Sequence, residues 1–281
     1  MHNISQGETH KSCYRFNWLE KIKYVFALIV IRVFGSIVKK DNNLWLFGGN
    51  KGDSYGDNSA YFYEYVNNKS AGIRPVWIAN NDYTVRYVRS FGGEAYRVLS
   101  WKHIACTLKA RVYVTSHFID SDLRIYDDRK TVFINLWHGM PIKKIVYDAQ
   151  TSENEETVFT RIHRFIRSSL LGYKDARALG DLIPATSDYT KEFLAQAFRS
   201  KNVEITGLPR GDIMYNMIGG GFPYSIKTNP QQRLILYMPT HRRWGKAPTR
   251  NIFTNSQFLE RLNECCKRNN FIFAVKLHPN E

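Results

Sequence analysis

Three short polar segments each follow a β-rich stretch and carry the residue types that phosphoryl transfer needs. They are residues 137–144, 239–243 and 276–280, and each combines a titratable or hydroxyl group with cations. A phosphoryl group in transfer spreads negative charge over its oxygens, and positioned Arg, Lys, hydroxyl and backbone N–H donors stabilise that charge. The three segments therefore predict chemistry on a phosphate.

Within the first segment, His138 is the candidate general base, because an imidazole with a near-neutral pKa can take a proton from an attacking hydroxyl. Gly139 would let a backbone approach a ligand closely, and Pro141 could open a helix whose free N–H groups face an anion. A single histidine after a strand is more often structural than catalytic, so His117 is a weaker candidate. The glycine and the lysines near His138, including Lys143, favour a catalytic role for it.

The second segment contains His241, Arg242 and Arg243, which could be only a solvated basic turn, an alternative that is weakest for Arg242. The glycine-rich turn at 48–52 lacks the GxGxxG spacing, and no GxxxxGK[ST] sequence occurs, so nicotinamide and P-loop sites are excluded. Asp57 opens the next helix and is expected to cap it.

Short β-rich runs alternate with helical periods after residue 40, and this alternation predicts an α/β fold with parallel, doubly wound sheets. Ligands bind such sheets beyond the carboxyl ends of the strands, which is where the polar segments lie. Predicted strands are 44–47, 75–79, 95–99, 111–115, 131–136, 183–186, 234–238 and 271–277, and predicted helices are 57–67, 101–109, 188–198 and 255–268.

Glycines and prolines between 207 and 221 indicate a domain seam. We therefore divide the chain into an N-terminal segment (1–40), a first Rossmann-like domain (41–206) and the start of a second one (207–281). The last part holds two predicted strands and one helix, which is too little for an independent Rossmann-like domain. The sequence thus predicts that the second domain is truncated.

Composition adds a constraint on partners. The chain has 40 basic and 25 acidic residues, a formal charge of +15, and 43% hydrophobic residues. Such a chain is globular and attracts an anionic partner, whether nucleic acid, a phosphorylated small molecule or anionic lipid. The four cysteines form no CxxC pair, so we expect no metal site and a reduced, cytosolic setting.

The N-terminal segment contains an apolar stretch, 24–38, that is shorter than the roughly twenty residues of a spanning helix. Lys21, Arg32 and Lys39 fall along one row of that helix, and Lys40 follows them. This pattern favours a helix lying in the plane of an anionic bilayer surface, while the alternative is a helix buried in its own protein.

Five segments resemble successive signatures of the CDP-glycerol:poly(glycerophosphate) glycerophosphotransferase family, in the expected order. They are GDSYGDNS at 52–59, LWHGMPIKK at 136–144, TGLPRGD at 206–212, MPTHR at 238–242 and VKLHPN at 275–280. The resemblance implies two Rossmann-like domains in a GT-B arrangement and peripheral, monotopic attachment to the cytoplasmic face of the membrane. It also implies transfer of glycerol phosphate from CDP-glycerol to a lipid-linked acceptor, with release of CMP, as in teichoic-acid-like polymers.

By the same resemblance, His138 is the acceptor-activating base, and His278 acts with it at the reaction centre. Residues expected to bind the donor's phosphates or assist departure of CMP are His278, Thr240, Arg242 and Lys276, joined by Arg210, Gly139 and Lys143. No cofactor is expected to bind tightly, although the diphosphate could carry a transient Mg²⁺.

The sequence departs from the family pattern at two positions, with Met140 in place of a frequent Thr and His241 in place of a frequent aromatic residue. The family also has an acidic, Ser-rich motif that contributes to donor binding and lies beyond residue 281. A chain without that motif could be inactive alone.

Two other functions stay open. A GT-B glycosyltransferase that uses a nucleotide sugar would have the same fold and a histidine at a strand end. A nucleic-acid-binding protein would explain the charge, but no recognisable nucleic-acid module occurs. The sequence does not distinguish glycerol from ribitol as the polyol. It also does not identify the polymer or decide between a single addition and repeated additions.

Overall fold

The computed structural model describes residues 17–70, 72–142, 144–149, 165–217, 231–238 and 255–276. Contacts divide the chain into a first unit that ends at Ile218 and a second unit that contains the last two strands. The first unit therefore extends beyond residue 206, where the sequence had placed the domain boundary. The helix at Pro209–Met217 accounts for the difference, because it packs on the helix at Asp57–Lys69.

The first unit is built on a parallel sheet of five strands. Its strands, in chain order, are β1 (Asp41–Gly48), β2 (Arg74–Ala79), β3 (Glu94–Arg97), β4 (Ala110–Thr115) and β5 (Val132–Asn135), and they lie in the order β3-β2-β1-β4-β5. The chain moves outward from β1 to β3 and then returns to β4 on the other side of β1. This reversal leaves a crevice at the carboxyl ends of β1 and β4, the usual ligand position in such a sheet.

Two further parallel strands, β6 (Ile183–Ala185) and β7 (Val203–Ile205), pair with each other. A bridge between Ile134 and Leu182 joins β6 to the edge of β5. The predicted α/β class with a parallel sheet is therefore confirmed.

Helices cover both faces of the sheet. They are α1 (Trp18–Phe34), α2 (Asp57–Lys69), α3 (Asp82–Ser90), α4 (Trp101–Lys109), the single turn α5 (Ile119–Asp122), α6 (Asp188–Phe198) and α7 (Pro209–Met217). Leu46 and Ile78 point into the core beneath α1 and α4, whereas Phe47 and Trp77, one residue away, point into the core beneath α2. Burial on both faces explains why the central strands are almost continuously apolar.

The N-terminal helix α1 packs into its own protein along one face. Tyr24, Ala27, Leu28 and Ile31 are buried there. Its last turn is held by Arg129, whose guanidinium donates to the carbonyls of Ile31 and Arg32 at 2.7 Å each. These bonds add side-chain donors to the carbonyls at the carboxyl end of α1, where backbone N–H donors run out.

The predicted basic row on this helix is wrong for Arg32 and for Lys40 after it. Arg32 forms an ion pair with buried Asp128 at 3.0 Å, and Lys40 forms one with buried Asp127 at 2.9 Å. These two cations are therefore paired with buried carboxylates of the fold.

The opposite face of α1 is apolar and exposed. We call this face the apolar stripe; its residues are Trp18, Leu19, Ile22, Phe26, Ile29 and Val33. Exposed Trp101 of α4 extends it, with its ring 6.3 Å from that of Phe26. Among the described residues, no helix has the length and apolarity that crossing a bilayer requires.

The second unit contains β8 (Arg233–Tyr237), α8 (Ser256–Arg268) and β9 (Phe271–Val275). The two strands are parallel neighbours, with Leu234 opposite Ile272, and α8 packs against β9. Asn255 caps α8 through its side chain, as the sequence predicted.

Candidate functional site

A cluster of polar side chains lies at the carboxyl edge of the sheet in the first unit. It is formed by the turn after β1, the start of α2, the residues after β4 and β5, and the start of α7. The main members are Lys51, Asp57, Asn58, Ser116, His117, Asp122, His138, Gly139 and Arg210.

His138 stands in this cluster with its ring stacked on another histidine. The ring centroids of His117 and His138 are 4.4 Å apart and their planes differ by 11°. The ring of Trp137 lies 4.2 Å from His138, and that indole also packs against Phe198 in the core beneath α6. Trp137 has a φ of +52°, a conformation that a bulky residue rarely adopts, so the fold constrains the direction in which His138 projects.

The hydrogen bond that His138 makes determines which of its nitrogens can act as a base. Its Nδ1 lies 3.2 Å from the carbonyl oxygen of Ser116. A carbonyl oxygen only accepts, so in the neutral ring Nδ1 carries the proton and Nε2 keeps a free lone pair. Part of the His138 side chain remains open to solvent, so a substrate can reach it.

The electrostatic surroundings keep His138 neutral. Desolvation by burial lowers the pKa of His138 from 6.5 to about 4; the electrostatic influence of His117 and Lys51 acts in the same direction, and the hydrogen bond to Ser116 and the charge of Asp122 oppose it. The ring is therefore unprotonated at physiological pH and available to accept a proton.

Asp122 ties two of the loops together. This carboxylate is fully buried, and it accepts the backbone N–H groups of Lys51 at 2.8 Å, Ser116 at 2.9 Å and His117 at 2.8 Å. Its Oδ1 also lies 3.4 Å from Nδ1 of His117, within the range of an ion pair. One side chain thus fixes the turn after β1 to the turn after β4, beneath the two histidines.

Asn58, at the start of α2, links three segments. Its amide donates to the carbonyl oxygen of Trp137 at 2.8 Å, and its side-chain oxygen accepts the N–H of Arg210 at 3.3 Å. Next to it, the hydroxyl of Ser116 donates to that of Ser59 at 2.8 Å. Both Asn58 and Ser59 are fully buried, so this network sets the spacing between α2, β4, β5 and α7.

Arg210 reaches the same place from α7. Its guanidinium Nη1 lies 3.5 Å from Oδ1 of Asp57, and its Nη2 would lie 3.4 Å from a Cβ placed on Gly139. Burial raises the pKa of Asp57, which the positive charge of Arg210 opposes. The structure thus places three of the predicted site residues, His138, Gly139 and Arg210, in one cluster, and their roles stay predictions.

Five members of the cluster were missed from the sequence, namely Lys51, Asp57, Asn58, Ser116 and Asp122. Asp57 was interpreted as a helix cap, but Gly56 occupies that position, and Asp57 has a φ of +65° and faces Arg210. Lys51 was not proposed because its turn lacks a known nucleotide-binding spacing. Its positive charge nevertheless contributes to the lowered pKa of His138. The glycines around Lys51, at positions 48, 49 and 52, were the sequence feature that could have indicated it.

The other predicted site residues are not part of this described cluster. Lys143, Thr240, Arg242 and His278 lie outside the described residues, and exposed Lys276 follows β9 in the second unit. Their predicted roles stay predictions.

The helix expected after Pro141 is absent from the described residues 141–142 and 144–149, which form bends and turns. Among the described residues, no group of three His, Cys, Asp or Glu side chains could hold a metal ion. The cations of the described cluster are the side chains of Lys51 and Arg210.

A doubly wound parallel sheet with an accessible histidine, an arginine and a lysine at its carboxyl edge defines an α/β protein whose polar cluster lies where such sheets place their ligands. The chain matches the model of the CDP-glycerol:poly(glycerophosphate) glycerophosphotransferase family over residues 30–281, and it belongs to that family. The resemblance carried by the five sequence segments is thus confirmed.

Individual relatives agree with this membership. The chain is 25% identical over 271 residues to the teichoic acid poly(glycerol phosphate) polymerase of Bacillus spizizenii, covering 89% of this chain and 62% of that protein. It is also 25% identical over 237 residues to the teichoic acid glycerol-phosphate transferase of Staphylococcus aureus, covering 79% of this chain and 56% of that protein. The chain therefore spans less than two thirds of the length of these relatives.

Among solved structures, the wall teichoic acid polymerase TagF has a similar fold. The two chains superpose with a TM-score of 0.65 at 18% identity, covering 94% of this chain and 66% of that one. A TagF variant soaked with CDPG gives a TM-score of 0.60.

Proposed function

We propose that this protein transfers glycerol phosphate from CDP-glycerol to a hydroxyl group of a lipid-linked acceptor or a growing teichoic-acid-like polymer. The observation that carries the proposal is the accessible, neutral imidazole of His138, whose Nε2 has a free lone pair beside the cations Lys51 and Arg210. Family membership supplies the donor class.

In the proposed reaction, Nε2 of His138 takes the proton of the acceptor hydroxyl as its oxygen attacks the β-phosphorus of CDP-glycerol. A new P–O bond forms to the acceptor, and the P–O bond to the bridging oxygen breaks, so that CMP leaves with the bonding electron pair. Lys51 and Arg210 stabilise the negative charge that develops on the phosphoryl oxygens. His278, Thr240, Arg242, Lys276 and Lys143 are proposed to complete the donor site, and Mg²⁺ could accompany the diphosphate.

A donor panel tests this function. The complete gene product is incubated with a lipid-linked acceptor and CDP-glycerol, CDP-ribitol, UDP-sugars or GDP-sugars, and the released nucleotide is identified. We expect CMP from a CDP-polyol, and the two CDP donors decide between glycerol and ribitol. Release of UDP or GDP instead would identify a nucleotide-sugar glycosyltransferase.

Arg210→Ala is expected to lower kcat/KM for CDP-glycerol by about 10²-fold, because a guanidinium aimed at a developing phosphoryl charge stabilises the transition state. Arg86→Ala removes an exposed arginine of α3 far from the site and is the matched control. Steady-state CMP release measures both variants. If Arg210→Ala stays within about twofold of the control, Arg210 has no role at the phosphate.

The proposed site of action is the cytoplasmic face of the membrane, with the apolar stripe of α1 lying in the bilayer surface. From Leu19 to Val33 its exposed residues follow one another at separations of three and four, so they form one face of the helix. The buried face and the ion pairs of Arg32 fix this helix to the sheet, so the stripe is presented as a rigid surface.

The combined change Ile22→Ser, Phe26→Ser and Ile29→Ser should weaken binding to phospholipid vesicles by at least about tenfold, since burying an apolar side chain contributes about 1.5–3 kcal/mol. Vesicle flotation measures the bound fraction. Tyr65→Ser, Tyr83→Ser and Tyr189→Ser, three exposed aromatics outside the stripe, form the control. Equal binding by the stripe variant and the parent chain would rule out docking through α1.

A further inference from the structure

A second concave site lies far from the histidines. It is a pocket of about 640 Å³ lined by residues at the starts of β1 and β4 and by the chain just after α1. The strands of this sheet are parallel, so these starts lie at the edge opposite to His138. Five of the lining side chains are cations, namely Lys39, Lys40, Arg111, Arg129 and Lys130.

Two of these cations, Lys40 and Arg129, already form ion pairs within the protein. Lys40 donates to Asp127 Oδ2 and to the carbonyl oxygen of Leu108, both at 2.9 Å. Arg129 donates to Asp127 Oδ1 at 3.0 Å and to the carbonyls that end α1. One buried carboxylate is therefore shared between two buried or half-buried cations.

The other three cations face no carboxylate within ion-pair distance in the described part of the chain. The Lys130 ammonium donates to the carbonyl oxygen of Ser36 at 2.9 Å, and the Arg111 guanidinium donates to the carbonyl oxygen of Lys130. Lys39 is exposed on the chain that leads into β1. Carbonyl oxygens satisfy donors but leave the positive charge in place, so the pocket holds an excess of positive charge.

The pKa of Lys40 reflects this crowding. Burial lowers it most, the contact with Asp127 opposes the shift, and the charges of Arg129 and Lys130 lower it further. Cations held this close repel one another, and an anion in the pocket would relieve that repulsion.

The position of the pocket indicates the source of the anion. The pocket begins where α1 ends, and its rim includes Ile37, an isoleucine with 78% of its surface exposed. Beyond Ile37 the chain continues back into Phe34 and Val33, which are exposed at the end of the apolar stripe. An apolar surface that adjoins a cationic recess matches the arrangement of acyl chains and phosphate in a phospholipid.

We propose that this pocket binds the phosphate of an anionic phospholipid headgroup while the apolar stripe contacts the acyl region. The guanidinium of Arg111 can hold two phosphate oxygens at once, and Lys39 and Lys130 supply charge from either side. This inference rests on the proposed docking of α1 at the bilayer, and it adds a recognition site for charge to the apolar surface.

The experiment compares two triple variants in the complete gene product. The pocket variant carries Lys39→Gln, Arg111→Gln and Lys130→Gln. The control carries Lys69→Gln, Arg86→Gln and Lys201→Gln, which remove the same formal charge from exposed positions elsewhere. Circular dichroism and the Tm confirm that both variants fold.

Binding is measured by flotation with vesicles of phosphatidylcholine alone and of phosphatidylcholine mixed with phosphatidylglycerol. The pocket variant should bind the anionic vesicles at least about tenfold more weakly than the control variant, and both should bind the neutral vesicles equally. An equal loss in the two variants would mean that only the overall charge matters, and the proposal would be overturned.

Soluble sn-glycerol 1-phosphate distinguishes the two sources of phosphate. If it raises the Tm of the parent but not of the pocket variant, while vesicle binding equals that of the control, the pocket serves a soluble phosphate and the lipid proposal fails. CMP release with a soluble acceptor should be unchanged in the pocket variant. If the stripe variant (Ile22→Ser, Phe26→Ser and Ile29→Ser) loses vesicle binding and the pocket variant does not, the proposed docking of α1 stands and the pocket proposal fails.

Discussion

His138→Ala is expected to lower the rate of CDP-glycerol-dependent CMP release by about 10²- to 10⁴-fold, the range that removal of a general base produces. The reason is geometric, because Nδ1 of His138 is held by the Ser116 carbonyl, which leaves Nε2 as the nitrogen with a free lone pair. Single-turnover kinetics with the complete gene product measures the chemical step directly.

The stacked neighbour provides the matched control for this variant. His117→Ala removes a ring of the same type whose Nδ1 faces Asp122, so it should cost much less than His138→Ala. If His117→Ala abolished turnover and His138→Ala did not, the base would be His117.

The pH profile separates a base from a residue that only packs. Because the pKa of His138 is lowered from 6.5 to about 4, the acid limb of kcat/KM for the parent protein should lie below pH 6.5. Activity falls as pH drops through this pKa, since protonation removes the lone pair of Nε2. His117→Ala removes one of the groups that lower the pKa of His138, so it should move this limb to higher pH.

Asp122→Ala is expected to lower the free energy of unfolding of the first unit by about 3–5 kcal/mol. The substitution leaves three buried backbone N–H groups, those of Lys51, Ser116 and His117, without their acceptor, and each such loss costs about 1–3 kcal/mol. Urea denaturation followed by tryptophan fluorescence measures the change.

Asp82→Ala is the control for this stability measurement. Asp82 is an exposed carboxylate whose ion pair with Arg97 is also exposed, so its loss should cost less than about 1 kcal/mol. Equal destabilisation by the two changes would show that Asp122 does not hold the loops together. A variant at Asp122 that still folds should also lose activity, because the backbone that carries His117 and Lys51 is no longer fixed.

The strands and the longer helices were predictable because they depend on local patterns. Runs such as 75–79 are apolar at every position, and Ser187 and Asn255 are strong helix caps. The elements α3, β7 and α7 were missed because they are short, at 9, 3 and 9 residues, and a periodic pattern is weak over so few positions. Pro209 was assigned to a seam, although proline is common in the first turn of a helix.

The sequence predicted only those site residues that directly follow a strand or lie in a segment that resembles the family. His138 and Gly139 directly follow β5, and the five-segment resemblance added Arg210. Asp122 and Asn58 were missed because the bonds that draw the loops together are long-range: Lys51 and Asp122 are 71 residues apart, and Asn58 and Trp137 are 79 apart.

The orientation of the N-terminal helix could not be predicted from its sequence alone. A helical projection places Lys21, Arg32 and Lys39 on one row, but it does not reveal which row meets the core. Asp128, which pairs with Arg32, comes from a distant loop whose position only the fold determines. The exposed face is instead the apolar stripe.

The most direct test of the whole proposal is a structure of the complete gene product with CDP-glycerol and an acceptor analogue. We predict the acceptor hydroxyl within about 2.6–3.2 Å of His138 Nε2, with residues 210, 242 and 278 around one diphosphate. A diphosphate bound away from the carboxyl edge of the first sheet, with His138 facing only solvent, would contradict it.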